Sequence, residues 1–346
     1  MKLQKFFKLA IFAVALMAFG AACVKEGPPG IDGANGTNGT NGTNGSDGTV
    51  TCLACHSGTT MNQKKAEFAM SEHSVGAVAV AYAGGRKDCA RCHSSQGFIE
   101  FATLGAVAGN ISNPSPWECA TCHGLHTTFN SGDYALRLAS APVASYSGAA
   151  YKFDFKNSSN LCVNCHQART VEPNIATPGA ATFKIASPYY GPHHGPQGNL
   201  VAGVGFAEIP GSVAYPAPGS SKHFAKSCTG CHMATFTNQQ GGHSLIPSVA
   251  ACNACHGVTD AEYDHNGVQT DVLAKLDQLR DKLVEKGVVS HDAVANTYKV
   301  KVGTYPMVQA QAYFNWIGIE EDRSEGVHNP VYIRALLLNT LQALNK

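Results

Sequence analysis

Cys228-Thr229-Gly230-Cys231-His232 and Cys252-Asn253-Ala254-Cys255-His256, with His223 before the first run and His243 between the two, decide how this chain is read. In a Cys-x-x-Cys-His run the two thiols are spaced to add across the two vinyl groups of a porphyrin, and the adjoining imidazole reaches the iron from one side. The same pattern occurs four more times, at Cys52/Cys55/His56, Cys89/Cys92/His93, Cys119/Cys122/His123 and Cys162/Cys165/His166. Six attachment sites imply six haem c groups. A zinc ribbon or a disulfide scaffold would also use paired cysteines, but neither needs a histidine after every pair. Histidine is 15 of 346 residues, so six such placements by chance have a probability of roughly 0.04 to the sixth power.

Twelve of the 13 cysteines belong to these pairs, which leaves Cys23. Charged residues make up 14% of the chain, against about 25% in ordinary globular domains. With 36 glycines as well, the composition suggests loops wrapped around something other than a protein core. The formal charge is +1, and removing a leader that carries three lysines and no acid brings it to −2. Each ferric haem with two imidazoles and two ionised propionates adds about −1, so the loaded protein is acidic, near about −8 oxidised and about −14 reduced. No basic stripe is present, and nucleic acid is excluded as a partner.

Residues 1–22 have the layout of a secretory signal: three lysines, an apolar run from Leu9 to Phe19, then Gly20-Ala21-Ala22 ahead of Cys23. A small-residue run before a lone cysteine reads as a lipoprotein signal with Cys23 lipidated, although Gly20 stands where leucine is usual. Residues 23–50 are expected to be a polar tether with glycine at every third position from Gly27 to Gly48, the collagen spacing, which leaves a short trimerising triple helix as the alternative. Extended at about 3.1 Å per residue, roughly 27 residues would reach about 80 Å from the lipid. Residues 51–346 are expected to be the hexahaem domain, with a helical part over 268–346.

Between Thr51 and Gly257 prolines such as Pro114, Pro116, Pro192 and Pro196 interrupt long helices, so short helices and much irregular chain are expected, with haems supplying the apolar core. Beyond Gly257, Val272, Leu273, Leu276, Leu279 and Leu283 recur at helical spacing, with Thr270 placed to cap and Gly287 to terminate. Thr297 to Val302 alternates as a short strand. A second helix begins near Pro306, and a third has Asn329 as N-cap and Pro330 at its first position.

Nine histidines remain after the six that follow a cysteine pair, more than six irons need on their second face. The distal candidates are His73, His126, His193, His194, His223, His243 and His328, with His265 in reserve and His291 read as solvated. His243 follows Gly241-Gly242, where paired glycines would let the backbone approach a flat macrocycle.

Several of these stretches resemble multihaem c-type cytochromes of respiratory bacteria, of the outer-surface lipoprotein type. They are Cys89 to His93 with Gly97-Phe98, the run from Pro192 to Gly198, Cys228 to Met233 with Gly241-Gly242-His243, and Ser324 to Pro330 with the terminal helix. That last stretch is also distantly similar to ammonia-forming nitrite reductase. The resemblance implies a mostly α fold with much irregular structure, stacked bis-histidine haems and C-terminal helices packed on them. It implies electron transfer at or outside the outer membrane to redox proteins or extracellular acceptors, on the periplasmic or cell-surface side. The alternative it carries is a multihaem reductase of a small nitrogen or sulfur oxyanion such as nitrite at one open haem. No Cys-x-x-Cys-Lys occurs, and the surplus of histidines removes any need for an open site. A membrane contact through the lipid and an oligomer joined by an exposed histidine such as His265 complete the expectations.

Overall fold

The computed structural model describes residues 58–76, 79–124, 135–146, 150–257 and 263–346. Cys23, the tether, the first attachment site at Cys52, Cys55 and His56, and His126 lie outside the described residues.

Within them the chain is mostly α, with short helices, long irregular connections and little sheet. Helix α1 spans Gly58–Ala69, α2 Lys87–His93, α3 Ser95–Leu104, α4 Gln197–Ala202, α5 Lys222–His232, α6 Val249–His256, α7 Val268–Glu285, α8 Met307–Asp322 and α9 Pro330–Leu344. Single helical turns lie at Glu72–Val75, Cys119–Cys122, Ser159–Cys162 and Pro173–Ala176. Strand β1 (Thr182–Ile185) pairs antiparallel with β4 (Gly303–Pro306), matching Ile185 to Gly303. Strand β2 (Val289–Asp292) pairs antiparallel with β3 (Thr297–Val300), matching Val289 to Val300.

The three long C-terminal helices form where apolar periodicity and caps agree. In α7 the buried face is Val272, Leu276, Leu279 and Leu283, spaced for one side of a helix. Its end is a left-handed turn at Gly287 (φ 72°), with Gly287 N–H bonded to Val284 O at 3.0 Å and Val288 N–H to Leu283 O at 2.9 Å. Its start differs from expectation. Thr270 lies inside the helix, and the Asp264 carboxylate accepts Gln269 N–H at 2.7 Å, Thr270 N–H at 3.4 Å and the Thr270 hydroxyl at 2.6 Å. The preceding loop turns back far enough for Asp264 to take the capping role. Helix α9 starts as its sequence indicates, Asn329 Oδ1 accepting Tyr332 N–H at 3.3 Å with Pro330 next.

These helices enclose a protein core, as their apolar faces indicate. Leu279, Phe314, Ile333, Leu336 and Leu337 are fully buried together with Ile185 and Leu200. Helix α8 is buried around most of its girth, from Ala312 through Trp316 to Ile319, because α7 and α9 both pack on it. Its one central polar side chain, Asn315, is satisfied: Oδ1 accepts Ala207 N–H at 2.9 Å, and Nδ2 donates to Ala207 O at 2.8 Å and Thr340 Oγ1 at 3.1 Å. A second apolar cluster, Phe153, Phe155, Val163, Ala168 and Ala202, holds the segment around Cys162 to His166. Among the described residues no helix is long and apolar enough to cross a membrane.

Candidate functional site

The five described Cys-x-x-Cys-His runs sit at helices or tight turns: at the ends of α2, α5 and α6, on the turn Cys119–Cys122, and from the end of the turn Ser159–Cys162 into a further turn in which Cys165 and His166 N–H both donate to Cys162 O. In a helical turn, residues three apart share a face, so each pair of thiols points to one side with the histidine beside it. Small residues permit the packing. A Cβ on Gly97 would stand 2.4 Å from Ala90 O, so only glycine lets α3 lie directly on α2.

The attachment segments adjoin one another. Arg91 Nη2 donates to Asn164 O at 2.8 Å and the Cys165 thiol to Arg91 O at 3.8 Å, joining the 89–93 and 162–166 runs. Ser159 Oγ accepts Thr229 N–H at 3.0 Å and bonds Ser227 Oγ at 2.8 Å, joining 162–166 to 228–232. To make that contact Ser227 holds φ 52°, a break inside α5. Ser248 N–H donates to Cys231 O at 3.1 Å, and Ser95 Oγ shares a hydrogen bond with Thr121 Oγ1 at 2.6 Å. In the series 119–123, 89–93, 162–166, 228–232 and 252–256 that these contacts trace, the 162–166 run is the middle one.

Each described histidine that follows a cysteine pair faces a histidine from elsewhere in the chain. Ring centres are 6.0 Å apart for His166 and His73, 6.2 Å for His93 and His193, and 6.4 Å for His123 and His243. They are 6.4 Å apart for His232 and His328 and 6.2 Å for His256 and His223. A metal-bound imidazole nitrogen lies about 2 Å from the metal with its ring centre about 1 Å further back, so two imidazoles on opposite sides of one ion are centred about 6 Å apart. The five gaps therefore fit one iron each. Among the described residues no three of His, Cys, Asp or Glu gather to hold a metal ion.

Hydrogen bonds fix the tautomers. His232 Nδ1 meets Leu245 O at 2.7 Å, His223 Nδ1 meets Val327 O, His166 Nδ1 meets Gln197 Oε1 at 3.1 Å, and His328 Nδ1 meets Asp322 Oδ1 at 2.7 Å. Each partner can only accept, so Nδ1 carries the proton and Nε2 keeps the lone pair a metal requires. Burial also keeps most of these rings neutral. It brings His73 down to about 3, aided by the neighbouring His166, and His193 down to about 4, aided by Arg169. His93, His166, His232 and His243 are lowered as well, with burial the main cause. A neutral imidazole is the form that ligates. His328 is the exception: burial opposes its charge, but the Asp322 carboxylate outweighs it and the net shift is upward.

The neighbouring His193 and His194 separate. His193 adopts φ 76° and turns to His93, whereas His194 is 79% exposed and bonds Glu321 Oε1 through Nδ1 at 2.8 Å. His265 lies tilted against His256 with ring centres 4.2 Å apart, too close to span an iron, and His291 stacks on Tyr298 at 4.5 Å. The glycines before His243 serve protein contacts: a Cβ on Gly241 would meet Ala234 O at 2.4 Å, and one on Gly242 would meet Glu67 Oε2 at 2.5 Å. Residues that sequence reasoning missed support the rings from behind. Trp117 lies 4.1 Å from His73 between ring centres and donates its N–H to His73 O, and Glu67, 1% exposed, accepts His243 N–H at 2.9 Å. Only the position of Trp117 two residues before Cys119 hinted at its role.

No protein-family model matches the chain. It is 25% identical over 290 residues to the C-type polyheme cytochrome OmcC of Geobacter sulfurreducens, covering 68% of this chain and 37% of that protein. Its fold is similar to the crystal structure of the outer cell wall cytochrome OcwA, with a TM-score of 0.50 and 20% identity, over 81% of this chain and 50% of that one. The chain thus spans half or less of the length of these two proteins. The repeated attachment motifs, the sequence similarity to a polyheme c-type cytochrome and the fold shared with an outer cell wall cytochrome support a multihaem c-type cytochrome.

Proposed function

We propose that the protein carries single electrons through six covalently attached haem c groups, as an exported lipoprotein at or outside the outer membrane. The observation that supports this most strongly is the set of five facing imidazole pairs with centres 6.0–6.4 Å apart. In this reading Cys89/Cys92, Cys119/Cys122, Cys162/Cys165, Cys228/Cys231 and Cys252/Cys255 hold five porphyrins by thioether bonds. The pairs that would hold the irons are His93 with His193, His123 with His243, His166 with His73, His232 with His328, and His256 with His223. Cys52, Cys55 and His56 would hold the sixth, with His126 or His194 as its second ligand. When bound, each haem supplies a one-electron Fe(III)/Fe(II) couple. The chain's part is to hold each iron between two imidazoles, to keep Nε2 deprotonated, and to seat one attachment segment against the next.

The similar proteins carry polyheme and outer cell wall in their names, which supports redox proteins or extracellular acceptors as partners for this chain. Lipidation of Cys23 would fix it to a membrane, and the glycine-rich tether would set its distance from that surface.

The test is the intact mass and redox stoichiometry of the protein made in a host that matures c-type cytochromes. The reading expects a mass gain of six haems, loss of the first 22 residues, and uptake of six electrons per chain. A colourless protein, or stoichiometric zinc in place of iron, would contradict it. A high-spin haem whose spectrum shifts on adding nitrite would favour the reductase alternative.

A further inference from the structure

Three of the facing imidazoles lean on a neutral acceptor through Nδ1: a backbone carbonyl for His232 and His223, and an amide for His166. His328 leans on Asp322 Oδ1 at 2.7 Å, and that carboxylate side chain is fully buried. No Lys or Arg forms an ion pair with Asp322 among the described residues. The other carboxylate near a facing imidazole is different. Glu67 stands 3.6 Å from His243 Nδ1, and Lys64 Nζ at 2.8 Å and Gln63 Nε2 at 3.0 Å share it. The charge of Glu67 is thus met by a cation, while that of Asp322 is met by His328 and the Ser324 hydroxyl.

The fold builds this contact deliberately. Asp322 ends α8, Arg323 reverses the chain in the left-handed region (φ 58°), and Ser324 Oγ bonds both Asp322 Oδ2 and, as acceptor at 3.2 Å, His328 N–H. Asp322 O also accepts Gln197 Nε2 at 3.4 Å, and Gln197 Oε1 accepts from His166. The end of α8 therefore supports ligands of two adjoining sites.

We propose that Asp322, acting through His328, lowers the reduction potential of the haem held by Cys228, Cys231, His232 and His328 below the value a neutral acceptor would give. This rests on the axial pairing proposed above. An anionic acceptor on Nδ1 makes the imidazole a stronger donor, and a buried negative charge favours the more positive ferric state. Burial strengthens the effect, because little water screens it. The electron still arrives from and leaves to an external couple; Asp322 shifts only the equilibrium position at this iron.

The experiment is a spectroelectrochemical titration of the holoprotein with soluble mediators, comparing wild type with Asp322→Asn and Ser324→Ala. Asp322→Asn keeps an oxygen facing His328 and removes the charge, so one haem's share of the absorbance change moves to more positive potential while all haems stay low-spin. Ser324→Ala removes a donor from the carboxylate and strengthens its pull on His328, so the same share moves the opposite way. Should Asp322→Asn fail to fold, the sign of the Ser324→Ala shift carries the test. Titration curves that superimpose on wild type, with haem content and spin state unchanged, would overturn this inference and leave the ligation intact. A His328→Ala protein whose haems all remain low-spin would instead overturn the axial pairing on which it rests.

Discussion

Gly198→Ala tests whether the middle attachment segment is clamped as the structure indicates. Gly198 lies in the first turn of α4, and a Cβ there would stand 2.4 Å from Val163 Cγ2 and 2.7 Å from His166 O. Ordinary carbon contacts are about 3.5–4.0 Å, so one side must retreat by about 1 Å. Val163 is fully buried and β-branched, and cannot turn aside. Retreat would stretch Gly198 N–H to His166 O, now 2.9 Å, and Ala168 N–H to Asn199 Oδ1, now 2.7 Å. Overpacking costs about 1–3 kcal/mol and two weakened hydrogen bonds about 1 kcal/mol each. Replacing a helical glycine by alanine returns about 1 kcal/mol. The net loss is about 2–4 kcal/mol, which at roughly 2–4 °C per kcal/mol lowers Tm by about 10 °C. The assay is thermal unfolding of the holoprotein followed by circular dichroism, with Gly109→Ala, whose Cβ would meet nothing within 4 Å, as the neutral control. A Gly198→Ala protein that melts with wild type would refute the close approach of α4 to His166.

Asn315→Ala strands Ala207 N–H and C=O in the core; a loss of about 3 kcal/mol by urea denaturation is expected. His193→Ala should convert one haem to high spin while His194→Ala leaves the pair at His93 low-spin, read by EPR of the oxidised proteins. Glu67→Ala removes the acceptor for His243 N–H and Lys64, so amide exchange in Gly58–Ala69 should quicken by the equivalent of about 1–3 kcal/mol.

What could be read in advance was local. Five consecutive residues define an attachment run, and Asn329-Pro330 or the Leu276, Leu279, Leu283 spacing needs nothing beyond one helix. The partnerships of the imidazoles are distant in sequence: His73 meets His166 and His223 meets His256, and no pattern in a single chain matches one to the other. The choice between His193 and His194 turns on one backbone angle. Strand β1 pairs with a segment more than a hundred residues later, and its four residues alternate too briefly to be noticed. Composition misled in one respect, since low charge and abundant glycine between Thr51 and Gly257 suggested that haems alone would supply the apolar core there and gave no sign of the cluster of Phe153, Phe155, Val163 and Ala168.

Paired imidazoles with an iron between them underlie the proposed electron transfer. EPR of the fully oxidised, haem-loaded protein tests this most directly, with the spins quantified against its iron content. The expected spectrum contains only low-spin ferric centres with two imidazole ligands at the sites of His93, His123, His166, His232 and His256. High-spin iron at any of those five, assigned by His→Met substitution of the facing residue, would contradict it.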